Sequence, residues 1–348
     1  MSPMAANNPP FVPLLWPSSV DMSSVDFDVW DIAWPDWIDK EKEHFGLDSV
    51  TTCLVLQTVS KGSTKSLSII KKKVAPQGIF DVLPNFLSLE RLRLTIALIS
   101  SRELISILQS LPQITTFVLD IDKFQATPMG RLKTTQLKLR KLSIYAARRQ
   151  TLHSTVANIV QHSPDLVSLT VRGTTARKEL TTKLGDGIKC LSLSMHSNTV
   201  PPISCKGLRY LKLVSDIYKF EPSESPCGLS YLTHLKLDGF TGEGVLSIME
   251  AYNIGENLEL LHLDVTPQSE ILSRTPKLKV LRLADLSKSM PLHVCPELRT
   301  IQYGARAGYL ATSERNERKR QLESQGYWLS QNRRFVRLCC LRRKSRLS

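Results

Sequence analysis

The residue types that most often carry out chemistry in proteins are present in this 348-residue chain, but their spacing matches no catalytic or metal-binding motif. The seven cysteines are scattered without a C-x-x-C pair, and nothing beside His293 and Cys295 completes a metal site or a catalytic dyad. G-x-S-x-G, G-x-x-x-x-G-K-[S/T] and H-E-x-x-H do not occur. The Gly-Asp-Gly at 185–187 and the Gly-Glu-Gly at 242–244 are interpreted as turns. We therefore expect neither an enzyme nor a cofactor or metal.

Basic and aromatic side chains that could bind an acidic partner recur at one place in a repeated pattern. They flank or follow the last two apolar residues of a short strand-like segment, where alternation puts them on the face opposite the leucines. These residues are Arg91, Arg93, Lys141, Tyr145, Arg172, Tyr210, Lys212, His234, Lys236, His262 and Arg282. We expect them to form a basic, partly aromatic groove on a concave face, interrupted by Asp120, Asp238 and Asp264. The alternative is an ordinary solvated sheet face, because Lys and Arg are common on surfaces.

The pattern that positions these residues is apolar-x-x-apolar-x-apolar, and it occurs ten times. The copies begin at Leu89, Ile114, Leu139, Leu166, Ile188, Leu208, Leu232, Leu258, Leu278 and Leu298. The nine intervals cover 298 − 89 = 209 residues, about 23 each, which lies inside the period of leucine-rich repeats. Degenerate copies precede them at Leu54/Leu56 and Leu67/Ile69.

The periodicity predicts an α/β fold, a leucine-rich-repeat solenoid with a curved parallel sheet and helical or irregular outer legs. Alternating apolar residues make a short strand with one inward face, and stacked copies bury their leucines against their neighbours. Segments at 104–111, 156–160 and 245–252 have the i, i+3, i+4 apolar spacing of helices. The shorter intervals, such as 188–208 and 278–298, leave room only for extended or 3₁₀ legs. The alternative, a doubly wound α/β sheet, would need longer helices and a glycine-rich first turn.

Net charge divides the chain into three regions. Residues 1–50 carry 2 basic and 9 acidic side chains, 51–303 carry 32 and 20, and 304–348 carry 12 and 3. We predict an acidic, Pro- and Trp-rich N-terminal segment or cap at 1–48, the solenoid at 49–303 and a disordered basic tail at 304–348. The four tryptophans of the first segment either cover the open end of the solenoid or belong to a disordered acidic-aromatic interaction segment.

Basic clusters in the tail are typical of nuclear import signals and of polyanion-binding segments. They contain Arg318, Lys319, Arg320, Arg333, Arg334, Arg342, Arg343 and Lys344. No run of 18 or more apolar residues predicts a membrane span, and five prolines in the first seventeen residues argue against a signal peptide. We expect an intracellular protein, cytoplasmic or nuclear.

Residues 86–303 resemble the irregular leucine-rich-repeat region of fungal-type F-box proteins. The resemblance rests on the ten copies and on prolines just before the pattern, as in Pro164-Asp165-Leu166 and Pro276-Lys277-Leu278. It implies that the repeats hold a substrate while an N-terminal F-box docks onto a ubiquitin-ligase scaffold. Two features depart from the family. The Asn that usually follows the strand is missing from all ten copies, and residues 1–48 contain no recognisable F-box.

The function that these patterns indicate is recognition of another protein. We expect a protein-interaction module, a substrate-recognition protein related to F-box/leucine-rich-repeat ubiquitin-ligase adaptors. Its partner would be a protein that binds the concave face. If the groove is basic, that partner would be acidic. The alternative is a nuclear or nucleic-acid-associated protein that acts through the basic tail. Salt separates the two, because polyanion binding weakens steeply as ionic strength rises.

Overall fold

The fold was analysed in a computed structural model. It describes residues 65–71, 77–127, 136–147, 152–173, 178–195, 201–203, 205–215, 228–283, 295–304, 317, 320, 327–332 and 335–340. The chain divides into two compact units, Met1–Leu47 and Asp48–Ser348, and all described residues belong to the second. The predicted N-terminal segment at 1–48 and the degenerate copy at Leu54/Leu56 lie outside the described residues.

The second unit contains one sheet whose strands follow each other in chain order, and its first eleven strands are parallel. These strands are β1 Ser66–Lys71, β2 Arg91–Ser100, β3 Thr116–Gln125, β4 Lys141–Ala146, β5 Ser168–Arg172, β6 Cys190–Met195, β7 Tyr210–Ser215, β8 His234–Asp238, β9 Leu260–Leu263, β10 Val280–Leu283 and β11 Thr300–Gly304. Sequential parallel neighbours are the layout expected when each repeat adds one strand beside the last. The prediction of a parallel α/β fold is confirmed.

The core lies on one face of this sheet and consists of the repeated apolar residues. In register, Leu92 lies beside Phe117 and Leu94 beside Leu119, and the same two columns continue along the sheet to Leu281 and Leu283. Every apolar position of the ten copies is at most 3% exposed, apart from Tyr303, whose side chain is outside the described set. The predicted strands and their buried face are therefore confirmed.

Short helices connect some of the strands. They are α1 Gln77–Val82, followed by a 3₁₀ turn at Leu83–Asn85, α2 Ser101–Ser110, α3 His153–Gln161, α4 Lys178–Thr181, α5 Gly242–Ala251 and α6 Ser269–Ser273. The three predicted from apolar spacing are α2, α3 and α5. Helix α2 begins with a capping box, in which Ser100 Oγ accepts from the Glu103 N–H at 3.2 Å and the Glu103 carboxylate accepts from the Ser100 N–H at 2.7 Å.

Two further strands of the sheet lie within residues 304–348, the region predicted to be a basic tail. Two strands, β12 Tyr327–Asn332 and β13 Phe335–Cys340, form an antiparallel hairpin, and β13 pairs with β11. The aromatic and β-branched residues of these segments favour strands, whereas the high density of Arg and Lys between them suggested a solvated tail. Pairing with β13 also satisfies the backbone groups on the open side of β11.

The polar face as a candidate binding surface

The face of the sheet opposite the leucines carries three rows of side chains, which we call the polar face. The first row contains Arg91, Thr116, Lys141, Ser168, Cys190, Tyr210, His234, Leu260, Val280 and Thr300. The central row contains Arg93, Val118, Ser143, Thr170, Ser192, Lys212, Lys236, His262, Arg282 and Gln302. The third row contains Thr95, Asp120, Tyr145, Arg172, Ser194, Val214 and Asp238. Because neighbouring strands are about 4.8 Å apart, adjacent members of a row lie within reach of one another.

All eleven residues predicted to bind a partner lie on this face. Arg91, Lys141, Tyr210 and His234 belong to the first row, Tyr145 and Arg172 to the third, and the other five to the central row. The parallel register therefore brings together residues that are about 190 positions apart in the chain (282 − 91). They are less accessible than a solvated face would require, since Arg93, Lys236 and Arg282 are buried.

Ion pairs and hydrogen bonds connect the basic residues near the C-terminal end of the central row. Lys212 Nζ lies 3.0 Å from Asp238 Oδ2, and Lys236 Nζ lies 3.7 Å from Asp238 Oδ1. Arg282 donates from Nε to Gln302 Oε1 at 2.7 Å. The polar face is therefore not a simple array of free positive charges, because part of its charge is compensated within the sheet.

Aromatic contacts organise the middle of the polar face. The rings of Tyr210 and His234 are neighbours across β7 and β8, with centroids 4.3 Å apart and planes inclined by 33°. The guanidinium carbon of Arg172 lies 5.7 Å from the centre of the Tyr145 ring, within the range of a cation–π contact. Burial raises the pKa of Tyr145 to about 12, so its hydroxyl stays protonated at neutral pH.

Lys141 is the basic residue whose charge the fold disfavours most clearly. Burial lowers its pKa to about 8, although the neighbouring Cys190 acts in the opposite direction. Burial likewise raises the pKa of the Cys190 thiol to about 11, so at neutral pH the thiol is uncharged and it supplies negative charge beside Lys141 only at high pH. A ligand with an acidic group would relieve this cost, because a nearby negative charge favours the protonated amine.

A cluster of small hydroxyl side chains separates the two basic ends of the face. Ser168, Thr170 and Ser192 are 1%, 0% and 4% exposed, and none of their hydroxyls has a hydrogen-bond partner in the described part of the chain. Buried hydroxyls normally find a partner, since an unsatisfied one costs about 1–3 kcal/mol. These three hydroxyl oxygens are buried, so a ligand could reach them only if neighbouring side chains moved.

Asp238, His262 and Asp264 offer three ligand atoms within 4.8 Å of one another, a donor set that suits a divalent cation. However, Lys212 and Lys236 already contact the Asp238 carboxylate and would repel a cation. Asp264 in turn accepts the N–H of Gly239, whose φ of 82° turns the chain at the end of β8. We assign this group to the ion-pair network of the polar face and not to a metal site.

Several contributors to this face were missed in the sequence, above all the hydroxyl cluster and Gln302. The sequence pattern could have shown them, because Thr170, Ser192 and Gln302 occupy the same place in the repeat as Arg93 and Lys236, and Ser168 occupies the same place as Lys141. Of the tail residues predicted to bind polyanions, Arg320 is described and exposed, and the other seven lie outside the described residues.

Comparison with known proteins adds no relative, because no family model and no curated protein matches the chain.

Among the helices that the structure describes, none is both long and apolar enough to cross a membrane. Cys190, Cys205 and Cys295 are free thiols.

Proposed function

We propose that this protein is a recognition module, a leucine-rich-repeat solenoid whose polar face is concave and binds another protein. The observation that carries the proposal is that every strand from β2 to β11 contributes at least one polar or charged side chain to the same face of the sheet, directly opposite a face that is apolar in every repeat. Repeat architectures use such a surface to bind partners, because every added strand extends it without disturbing the core.

The chemistry of the face supports a partner segment that combines acidic and aromatic or amide groups. Lys141 and Arg172 supply positive charge, and Tyr210 and His234 supply ring surface. Tyr and Arg are the residue types that contribute most often to binding energy at protein interfaces. A binding role uses all these groups together, whereas no pair among them forms a recognisable nucleophile and base.

We further propose that the module belongs with the substrate-recognition proteins related to F-box/leucine-rich-repeat ubiquitin-ligase adaptors. Support comes from the repeat pattern and its preceding prolines. The absence of an F-box pattern from residues 1–48 leads us to expect that this chain does not dock onto the scaffold adaptor by itself. Purified chain and purified adaptor, run together on gel filtration, test this expectation, and a stable one-to-one complex would contradict it.

The test of the recognition role is proximity labelling in the native cell, with the full chain and with the Tyr210→Ser/His234→Ser variant. We expect a defined set of labelled proteins with the parent and loss of that set with the variant, because the stacked rings are removed from the polar face. The matched control is Arg102→Ala/Lys123→Ala, which changes two exposed residues elsewhere. Identical labelling by the parent and the polar-face variant, with the variant folded, would overturn the proposal.

A further inference from the structure

A second charged surface lies at the amino-terminal edge of the sheet, where the chain turns into β4, β5, β6 and β7. Six exposed cations occupy these turns, and we call them the basic edge. They are Lys138, Arg140, Lys183, Lys189, Lys206 and Arg209. This surface is separate from the polar face, since its residues precede the first row and extend beyond the ends of the strands.

Backbone hydrogen bonds place the innermost of these residues side by side. The Val167 N–H donates to the Arg140 carbonyl at 2.9 Å, the Lys189 N–H to the Val167 carbonyl at 2.8 Å, and the Arg209 N–H to the Lys189 carbonyl at 2.9 Å. Arg140 is thus about two strand spacings, roughly 10 Å, from Lys189. Lys189 is one strand spacing, roughly 5 Å, from Arg209. The positive charges form a line across the strands.

The basic edge differs from the polar face in that its charges are not compensated. None of the six takes part in an ion pair with any residue that the structure describes. Lys138 donates instead to the amide oxygen of Gln113 at 3.0 Å, and Arg209 donates to the Tyr231 carbonyl at 2.9 Å. Two exposed carboxylates share these turns, Asp165 and Asp186, which leaves an excess of four positive charges (6 − 2).

An exposed aromatic ring completes this surface. Tyr231 is 58% exposed, which is unusual for a large ring, and the guanidinium carbon of Arg209 lies 5.3 Å from its centre. Cations that follow a line and an accessible aromatic ring are the two elements with which proteins bind single-stranded nucleic acid, through the phosphates and through base stacking. The bases of a duplex are stacked on one another and cannot use the ring in this way.

From these observations we infer that the basic edge binds single-stranded nucleic acid, with Arg140, Lys189 and Arg209 contacting phosphates and Tyr231 stacking on a base. This activity is independent of protein recognition by the polar face and does not require the basic tail.

The test is fluorescence anisotropy of a labelled oligothymidylate of about 20 nucleotides with the full chain, at salt concentrations of about 50 to 200 mM. In the variant Arg140→Glu/Lys189→Glu/Arg209→Glu we expect the affinity at low salt to fall at least tenfold. Three lost phosphate contacts should also reduce the slope of log K against log salt by about 2, since each contact on a single strand contributes about 0.7. Tyr231→Ala should weaken binding about tenfold and leave the slope unchanged.

The control Arg102→Glu/Lys123→Glu/Lys277→Glu makes the same change in net charge at exposed residues outside the turns into β4, β5, β6 and β7 and should leave affinity within about twofold. The neutral variant Arg140→Gln/Lys189→Gln/Arg209→Gln tests the same three phosphate contacts without reversing the charge. An equal loss in the control, an unchanged salt slope in the two triple variants of Arg140, Lys189 and Arg209, or a preference for duplex DNA or for phosphatidylserine vesicles over the oligonucleotide would each overturn the inference.

Discussion

The ammonium group of Lys212 lies 3.0 Å from the carboxylate of Asp238, a residue 26 positions later at the end of the adjacent strand (238 − 212). The same carboxylate lies 3.7 Å from Lys236, and both lysine side chains are nearly buried, at 11% and 9% exposed. One acidic residue therefore compensates two desolvated cations in the central row of the polar face.

Asp238→Asn should consequently destabilise the fold, because it removes the carboxylate charge that lies within ion-pair distance of two largely buried ammonium groups. We expect a loss of about 2–4 kcal/mol in the free energy of unfolding, measured by urea denaturation. The control is Arg274→Gln, which breaks the exposed 2.8 Å pair with Glu250 and should cost less than about 1 kcal/mol. Equal effects of the two substitutions would contradict the difference in burial on which this prediction depends.

Lys141→Met should stabilise the protein at neutral pH. The pKa of Lys141 is lowered to about 8 by burial, so between pH 8 and its ordinary value near 10.5 the unfolded chain binds more protons than the folded chain. The stability of the parent should therefore rise with pH across this window. Below pH 8 the substitution should raise the free energy of unfolding by about 1–3 kcal/mol, and this increase should shrink as pH rises towards 10.5. Urea denaturation at pH 7 and pH 10 checks this, and a gain that does not change with pH would contradict it.

Leu211→Asp should disrupt the sheet, because Leu211 is completely buried between Leu191 and Leu235 on the strands beside it. An unpaired charge in that position costs several kcal/mol. The same substitution at Leu87, which is 63% exposed, provides the control and should change stability little. Thermal unfolding followed by circular dichroism separates the two variants. A melting temperature for Leu211→Asp equal to that of the parent would show that the apolar row is not the core at this strand.

Removal of residues 312–348 should leave the parallel strands folded but expose the open side of β11, since β13 pairs with that strand. Unpaired backbone groups at a sheet edge promote association with other chains. We therefore expect the truncated protein to self-associate with increasing concentration in sedimentation velocity, and to bind heparin more weakly at low salt because it loses the basic clusters. A truncated chain that sediments in the same way as the parent across that concentration range would show that the hairpin does not protect this edge.

Much of the fold could be predicted from short-range patterns. Alternation at residues such as Leu92 and Leu94 decides which face of a strand is buried, and a repeat that returns about every 23 residues places the strands in sequential parallel order. For the same reason the positions of Arg93, Lys212 and His262 on the opposite face could be read directly. Helix α2 was predictable because its capping residues Ser100 and Glu103 act within a single turn.

The partners and burial of these side chains were decided by tertiary structure. Whether Lys212 is a free cation or an ion-paired one depends on the register between β7 and β8, since Asp238 lies on the next strand, 26 positions later in the chain. The lowered pKa of Lys141 and the unpartnered hydroxyl of Thr170 likewise depend on how deeply neighbouring strands enclose them. The alignment of Arg140, Lys189 and Arg209 follows from backbone hydrogen bonds between successive turns. Periodicity in the sequence determines which face a residue occupies, but its electrostatic state depends on distances across strands, which only the folded sheet sets.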